Sequence, residues 1–221
     1  MKKKTWLSWS SGKDSAWALH TLRQNPEFDV TALFTVVNAK YQRAAMHATR
    51  LELLKLQAAA AGLPLHVVEI PNPCAFEECN VIMGTFTAGA AAAGVQCMAF
   101  GDLFLTDIRE YREKQLAGTG IEPIFPLWLK PTPQLAREML AGGLRSIISC
   151  VDTRKLPREF AGREWDAALL AELPPDVDPC AENGEFHTIA VAGPMFRHPL
   201  EVRLGEFHQS DTFVFRDVIP G

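Results

Sequence analysis

Several things are missing from this chain. Its five cysteines (Cys74, Cys79, Cys97, Cys150, Cys180) are odd in number and scattered, and no C-x-x-C pair occurs, so neither a disulfide framework nor a structural zinc site is expected. They read as reduced thiols, several of them core. Long hydrophobic runs are also absent at the start: after the basic Met1-Lys2-Lys3-Lys4 the apolar run breaks at Ser8, short of a signal h-region or a membrane span. A cytoplasmic location with no membrane partner is the expectation. Nor is there an excess of positive charge. A net charge of −4 and a pI near 5.9 leave no global basic field, which counts against nucleic acid as a partner.

What is present suits a folded enzyme-sized chain: 221 residues, 48% hydrophobic and 22% charged. Apolar runs at Thr5–Trp9, Val30–Val37, Leu65–Ile70, Gln96–Phe100 and Ser146–Val151 read as strands. Between them lie helical patterns at Ser15–Arg23, Ala44–Ala61, Phe76–Ala93, Asp107–Leu116 and Pro133–Ala141, several closed by Gly62, Gly94 or Gly142. This alternation predicts an α/β fold, a Rossmann-like doubly wound parallel sheet. After Val151 prolines punctuate the pattern, and Glu201–Glu206 against Thr212–Val218 reads as a hairpin. We therefore expect a nucleotide-binding domain over 1–130 and a smaller α+β lobe over 131–221, the lobe carrying the last parallel strand and the terminal hairpin. The hairpin edge could support a homodimer.

The stretch Ser10-Ser11-Gly12-Lys13-Asp14-Ser15 follows the first strand and opens a helix. A strand that stops at a Ser/Gly turn and starts a helix aims backbone N–H groups and a positive helix end at one point, which suits a phosphate. A Walker A loop is excluded, because Gly12-Lys13 is followed by Asp14 and position 7 is Leu. The plain alternative is an ordinary βα turn with an N-cap. Ligands of open parallel sheets bind beyond the carboxyl ends of the strands, so this loop, the second strand's end near Thr35–Asn38, and Gly101-Asp102 should converge.

Other residues could carry chemistry. Asp102 stands where a carboxylate could hold magnesium, or where a turn Asp would cap the next helix. His47 and Arg50 share a helix face at i and i+3, a spacing that a surface pair has equally. Asp178-Pro179-Cys180-Ala181-Glu182-Asn183-Gly184-Glu185-Phe186-His187-Thr188 gathers carboxylates, a thiol and an imidazole in a bent segment, either a plain Asn-Gly turn or an acid/base loop.

Ser10–Ser15 resembles the PP-loop of ATP pyrophosphatases, usually S-G-G-x-D-S, with Ser11 at a position that is normally Gly. Together with Met46-His47, Arg50, Phe100-Gly101-Asp102, Glu122–Trp128, Gly162-Arg163, Asp178–Thr188 and Gly193–Phe196, the chain is similar nearly end to end to the diphthine–ammonia ligases and their bacterial relatives. Ala181 stands where that family has Gly in C-G-E-N-G-E-F/Y-H-T. The resemblance implies that ATP, with Mg2+, adenylates a small-molecule carboxylate and that ammonia displaces AMP to form an amide. By the same resemblance Ser10, Ser11, Gly12, Lys13, Asp14 and Ser15 would hold the phosphates, Asp14 and Asp102 the magnesium, and Phe34, Thr35, Val36 and Gly101 the nucleotide. Lys13, Asp14, His47, Glu182 and Glu185 would be catalytic, and Arg50, Cys180, Asn183, Gly184, Phe186 and His187 would meet the substrate. If the chain is bacterial, the resemblance implies an acid other than diphthine. A non-catalytic adenine-nucleotide sensor and a tRNA-modifying enzyme stay open as other classes.

Overall fold

The computed structural model describes residues 1–44 and 49–221; His47 lies outside the described residues. Strand β1 (Lys3–Ser8) leads into α1 (Lys13–Gln24), β2 (Phe28–Asn38), the short β3 (Arg43–Ala44), α2 (Leu51–Ala61) and β4 (Leu65–Ile70). Next come α3 (Phe76–Ala92), β5 (Cys97–Ala99), α4 (Thr106–Leu116), β6 (Glu122–Ile124) and α5 (Thr132–Ala141). The C-terminal part holds β7 (Arg145–Asp152), α6 (Ala167–Glu172), β8 (Phe186–Ala192), β9 (Val202–Ser210) and β10 (Phe213–Pro220).

A mostly parallel sheet runs in the order β3-β2-β1-β5-β6, with β4 also paired to β2. Helices flank it, and the α/β expectation holds. β1 lies between β2 and β5, so the turn after β1 opens where the two neighbouring connections leave the sheet. Leu7, Leu19, Leu33 and Leu54 are fully buried beneath it. That core is continuous with Ile148, Val151, Trp165, Phe186 and Val214 from the C-terminal part. Among the described residues, no helix is long and apolar enough to cross a membrane.

Three expectations need correction. Ser146–Val151 lies in β7, which pairs antiparallel with both β8 and β10 in a separate sheet of order β8-β7-β10-β9. It is not a last parallel strand, because a short apolar run carries no direction and its next partner, β8, arrives without a parallel crossover. The helix expected from Ala44 begins at Leu51: Ala44 N–H donates to Thr49 O at 2.8 Å and Leu51 N–H to Gln42 O at 2.9 Å, so β3 folds the chain back before the helix starts. Finally, Cys74 and Cys79 form a disulfide, the Cα atoms meeting at 6.0 Å as the chain enters α3. Cys97, Cys150 and Cys180 are buried free thiols.

Candidate functional site

Beyond the ends of β1 and β5, the loop Ser10–Ser15, Gly101-Asp102, α4 and the segment 180–188 enclose a crevice of about 270 Å3. The loop is shaped by two unusual demands. Ser11 sits at φ 76°, a left-handed conformation that costs a residue with a Cβ on the order of 1 kcal/mol. Gly101 is required by contact: a Cβ there would stand 3.0 Å from Ser15 N and 3.1 Å from the Asp14 carbonyl carbon. That approach is what brings the end of β5 against the loop.

The loop is held from outside by neutral groups. Gln57, fully buried, donates Nε2 to Ser11 O at 3.0 Å and to Ala190 O at 2.8 Å, and its Oε1 accepts from Trp9 Nε1 at 2.8 Å. The hydroxyls of Ser11 and Thr49 are 2.7 Å apart. Thr188 Oγ1 accepts from Lys13 N–H at 3.1 Å. Gly12 caps α1 without a side-chain cap, so the first turn of the helix keeps donors for a ligand. Ser15 Oγ donates to Gly12 O at 3.0 Å and accepts from Ser10 Oγ at 3.1 Å, and both residues line the crevice.

Lys13 is 2% exposed. Its ammonium donates to Asp14 Oδ2 at 2.8 Å and to the Cys180 carbonyl, and lies 5.7 Å from the rings of Trp165 and Phe186. It thus fastens the loop to the C-terminal segment. Burial pulls its pKa down, but Asp14 and the neighbouring charges outweigh that and the net shift is upward, so it is a cation. Asp14 is pushed up by burial, with Lys13 opposing. Asp102 is likewise pushed up by burial, Arg112 opposing at 3.8 Å and the Asp14 charge adding to the rise.

Two carboxylate oxygens in this crevice, Asp14 Oδ1 and Asp102 Oδ2, are buried without a hydrogen-bond partner among the described residues. Hard oxygen donors left in that state fit a divalent cation. No group of three His, Cys, Asp or Glu among the described residues could hold a metal on its own. Mg2+ commonly uses one or two carboxylates and takes the rest of its shell from phosphate and water.

Glu182 faces the same crevice. Its Oε1 accepts from Leu103 N–H at 2.6 Å and Phe104 N–H at 3.3 Å. Burial nevertheless pushes its pKa up to about 7, the charges of Asp14 and Asp102 adding to the rise. A carboxyl that titrates near neutrality can both take and give a proton. His187 is brought down to about 4 by burial, with Lys13 adding, and is neutral at pH 7. The Cys180 thiol is pushed well up by burial and stays protonated. Ala181 repeats the backbone condition of Ser11, at φ 58°.

Not every expected residue reaches the crevice. Gly184, Phe186, His187 and Cys180 line it; Phe34, Thr35 and Val36 do not. Phe34 is buried against Phe86 and Phe100 in the core, while Trp9 N–H donates to its carbonyl at 2.7 Å. Glu185 is 1% exposed and lies behind the lining, its Oε1 accepting from Asp178 N–H and Asn183 Nδ2, each at 3.2 Å. Asn183 serves that bond. Arg50 lies in a different cavity, paired with Asp217. The sequence reading missed Arg112, stacked 4.8 Å over Phe100 and facing Asp102, along with Gln57 and Thr188. Only Thr188 had a signal, its place within the segment 178–188.

Two family descriptions match the chain. Residues 3–122 match the diphthamide synthase N-terminal domain and residues 132–217 the diphthamide synthase C-terminal domain. No curated protein matches the chain. With both domains of the family matched along nearly its whole length, and with the loop that opens α1 at the floor of the crevice, the chain belongs to the diphthamide synthase family of ATP-using PP-loop proteins.

Proposed function

We propose that the crevice is the site of an AMP-forming ligase, in which ATP activates the carboxylate of a small acid and ammonia converts it to the amide. The observation that carries this reading is the meeting of two carboxylate oxygens without a hydrogen bond, on Asp14 and on Asp102 beside Arg112, with a helix N-terminus and a carboxyl that titrates near 7. In this reading the N–H groups at the start of α1 and the hydroxyls of Ser10 and Ser15 bind the β and γ phosphates. Asp14 and Asp102 would hold Mg2+, which supplies charge neutralisation as pyrophosphate departs. Arg112 restrains Asp102 and adds positive charge at the crevice wall.

The acid's carboxylate oxygen attacks the α-phosphorus, the bond to the bridging oxygen of pyrophosphate breaks, and the acyl adenylate is formed. Ammonia then attacks the acyl carbon, AMP leaves with the electron pair, and Glu182 takes the proton released from nitrogen. Lys13 keeps the C-terminal segment closed over the loop, and the apolar ring of Phe186 helps exclude water from the activated acid. Glu185 acts as a positioning residue, fixing the turn that presents Glu182.

The test is ATP turnover with magnesium and ammonium against a panel of small carboxylates, separating AMP plus pyrophosphate from ADP plus phosphate. AMP and pyrophosphate formed with one acid support the ligase and name its substrate. ADP plus phosphate overturns it, and tight ATP binding without cleavage by any acid favours a nucleotide sensor.

A further inference from the structure

The crevice has two kinds of wall. The loop Ser10–Ser15 offers hydroxyls and N–H groups, whereas α4 offers Leu105, Ile108 and Arg112. Leu105 stands at the N-cap of α4, and the spacing i, i+3, i+7 puts these three on one helix face. Asp107, Glu110 and Lys114 of the same helix are exposed. Leu105 and Ile108 are half-buried without belonging to the hydrophobic core, whose contacts in this stretch are made by Leu103 and Phe104. An apolar pair that lines a crevice and that the core does not use is contact area for the apolar part of a ligand.

Arg112 supplies the charge on this face. Its guanidinium lies 4.8 Å over the ring of Phe100, its Nε is 3.8 Å from Asp102 Oδ2, and Phe100 and Asp102 both line the crevice. At that distance the pair attracts without a hydrogen bond, and the Nε is buried with no hydrogen-bond partner among the described residues. The other cation that lines the crevice, Lys13, already donates to Asp14 and to the Cys180 carbonyl. Arg112 is therefore the lining cation with a hydrogen bond still to give. Its planar fork fits a carboxylate, which presents two oxygens in one plane. Phosphate would gain nothing from Leu105 and Ile108, and an acid with an apolar body uses the whole face.

We propose that this face of α4 is the subsite for the acid, with the carboxylate on Arg112 and an apolar body along Leu105 and Ile108, so that the substrate class is a small monocarboxylic acid with an aliphatic or aromatic body. The proposal rests on the ligase reading and adds to it the kind of acid the crevice selects. A carboxylate held on Arg112 lies next to Asp102, which in that reading stands at the nucleotide.

Calorimetric titration of the full chain, loaded with Mg2+ and α,β-methylene-ATP so that no cleavage occurs, compares hexanoate, benzoate, hexanamide and gluconate. Hexanoate or benzoate should bind saturably at one per chain. Hexanamide, which lacks the charge, and gluconate, which keeps the charge and chain length on a polar body, should bind at least tenfold more weakly. Arg112→Gln should weaken the bound acid at least tenfold. Because Arg112 also faces Asp102, Ile108→Asn provides a second variant: it leaves that pair in place and should weaken the acid at least threefold while narrowing its margin over gluconate. Absence of saturable binding by hexanoate and benzoate, equal binding of hexanamide or gluconate, or unchanged affinity in both variants would each overturn the proposal. Acid-dependent exchange of labelled pyrophosphate into ATP, run on the unloaded chain, separates this result from the ligase reading. Hexanoate or benzoate bound as expected without exchange overturns the ligase and leaves the subsite, whereas exchange supported by gluconate alone overturns the subsite and leaves the ligase.

Discussion

The loop Ser10–Ser15 and the segment Asp178–Thr188 meet at one crevice, and each contains a residue with a side chain at positive φ, Ser11 and Ala181. They are held in opposite ways. The loop is fixed by neutral partners elsewhere in the chain, Gln57, Thr49 and Thr188, so its carboxylate Asp14 keeps an oxygen to spare. The segment is fixed by its own carboxylates: Asp178 Oδ2 accepts from Glu182 N–H at 2.8 Å, and Glu185 gathers Asp178 N–H and Asn183. The contrast teaches that the loop's backbone is framed without its carboxylate, its one charged tie being Lys13 to Asp14 and the Cys180 carbonyl. Asp178 and Glu185 of the segment cannot be spared in that way, because there those acids are the frame.

The largest effect should come from Asp14 and Asp102, the two crevice carboxylates that keep an oxygen without a hydrogen bond. Asp14→Asn or Asp102→Asn is expected to lower ATP cleavage by on the order of a hundredfold or more; Asp102→Asn should leave the melting temperature little changed, whereas Asp14→Asn also removes the counter-charge of the buried Lys13 ammonium and should lower it. A large loss of stability in Asp102→Asn would place that residue with the frame instead. Gln57→Leu should do the reverse. It leaves the buried Trp9 Nε1 without its acceptor and removes two bonds to carbonyls, a cost of about 2–3 kcal/mol that denaturant titration can measure.

Glu182 tests the segment through pH. Its folded pKa of about 7 stands above the ordinary 4.5. The folded chain therefore binds this proton more tightly than the unfolded chain does, and stability falls as pH rises from about 4.5 through 7. Glu182→Gln escapes that loss. It should be more stable than the parent at pH 8 by on the order of 1–2 kcal/mol, after allowance for partial solvent access, with the gain vanishing near pH 4. A gain that is flat across this range would contradict the raised pKa.

The smallest effects should come from the two strained positions. Relieving a left-handed conformation gains about 1 kcal/mol. Ala181→Gly offsets that by losing a buried methyl, about 0.8 kcal/mol, and Ser11→Gly by losing the bond to Thr49, about 1 kcal/mol. Both variants should stay within about 1 kcal/mol of the parent in chemical denaturation. Destabilisation beyond 2 kcal/mol would mean that the side chains, not the backbone, hold these turns.

The parallel half was legible because its signals are local. The Ser/Gly turn after an apolar run marks the start of α1, Gly62 at φ 68° closes α2, and the bounds of β4 follow from its apolar run alone. What local pattern could not carry was direction and distant pairing. Ile147 and Ile148 look alike in a parallel or an antiparallel strand. Cys74 and Cys79 come together only through the bend into α3, and Arg50 finds Asp217 across 167 positions. For the candidate site, the loop and Glu182 lay in recognisable motifs. Arg112 had only its place on α4, and the burial of Glu185 depends on which way the turn at Ala181 sends it.

The most direct test of the crevice is calorimetric titration of ATP with and without Mg2+ against the parent and Asp102→Asn. We expect ATP binding that is strengthened by Mg2+ in the parent, and a loss of at least tenfold in Asp102→Asn with the melting temperature unchanged. Equal affinity with and without the metal, or in both proteins, would contradict the assignment of Asp14 and Asp102 to a Mg2+–ATP site.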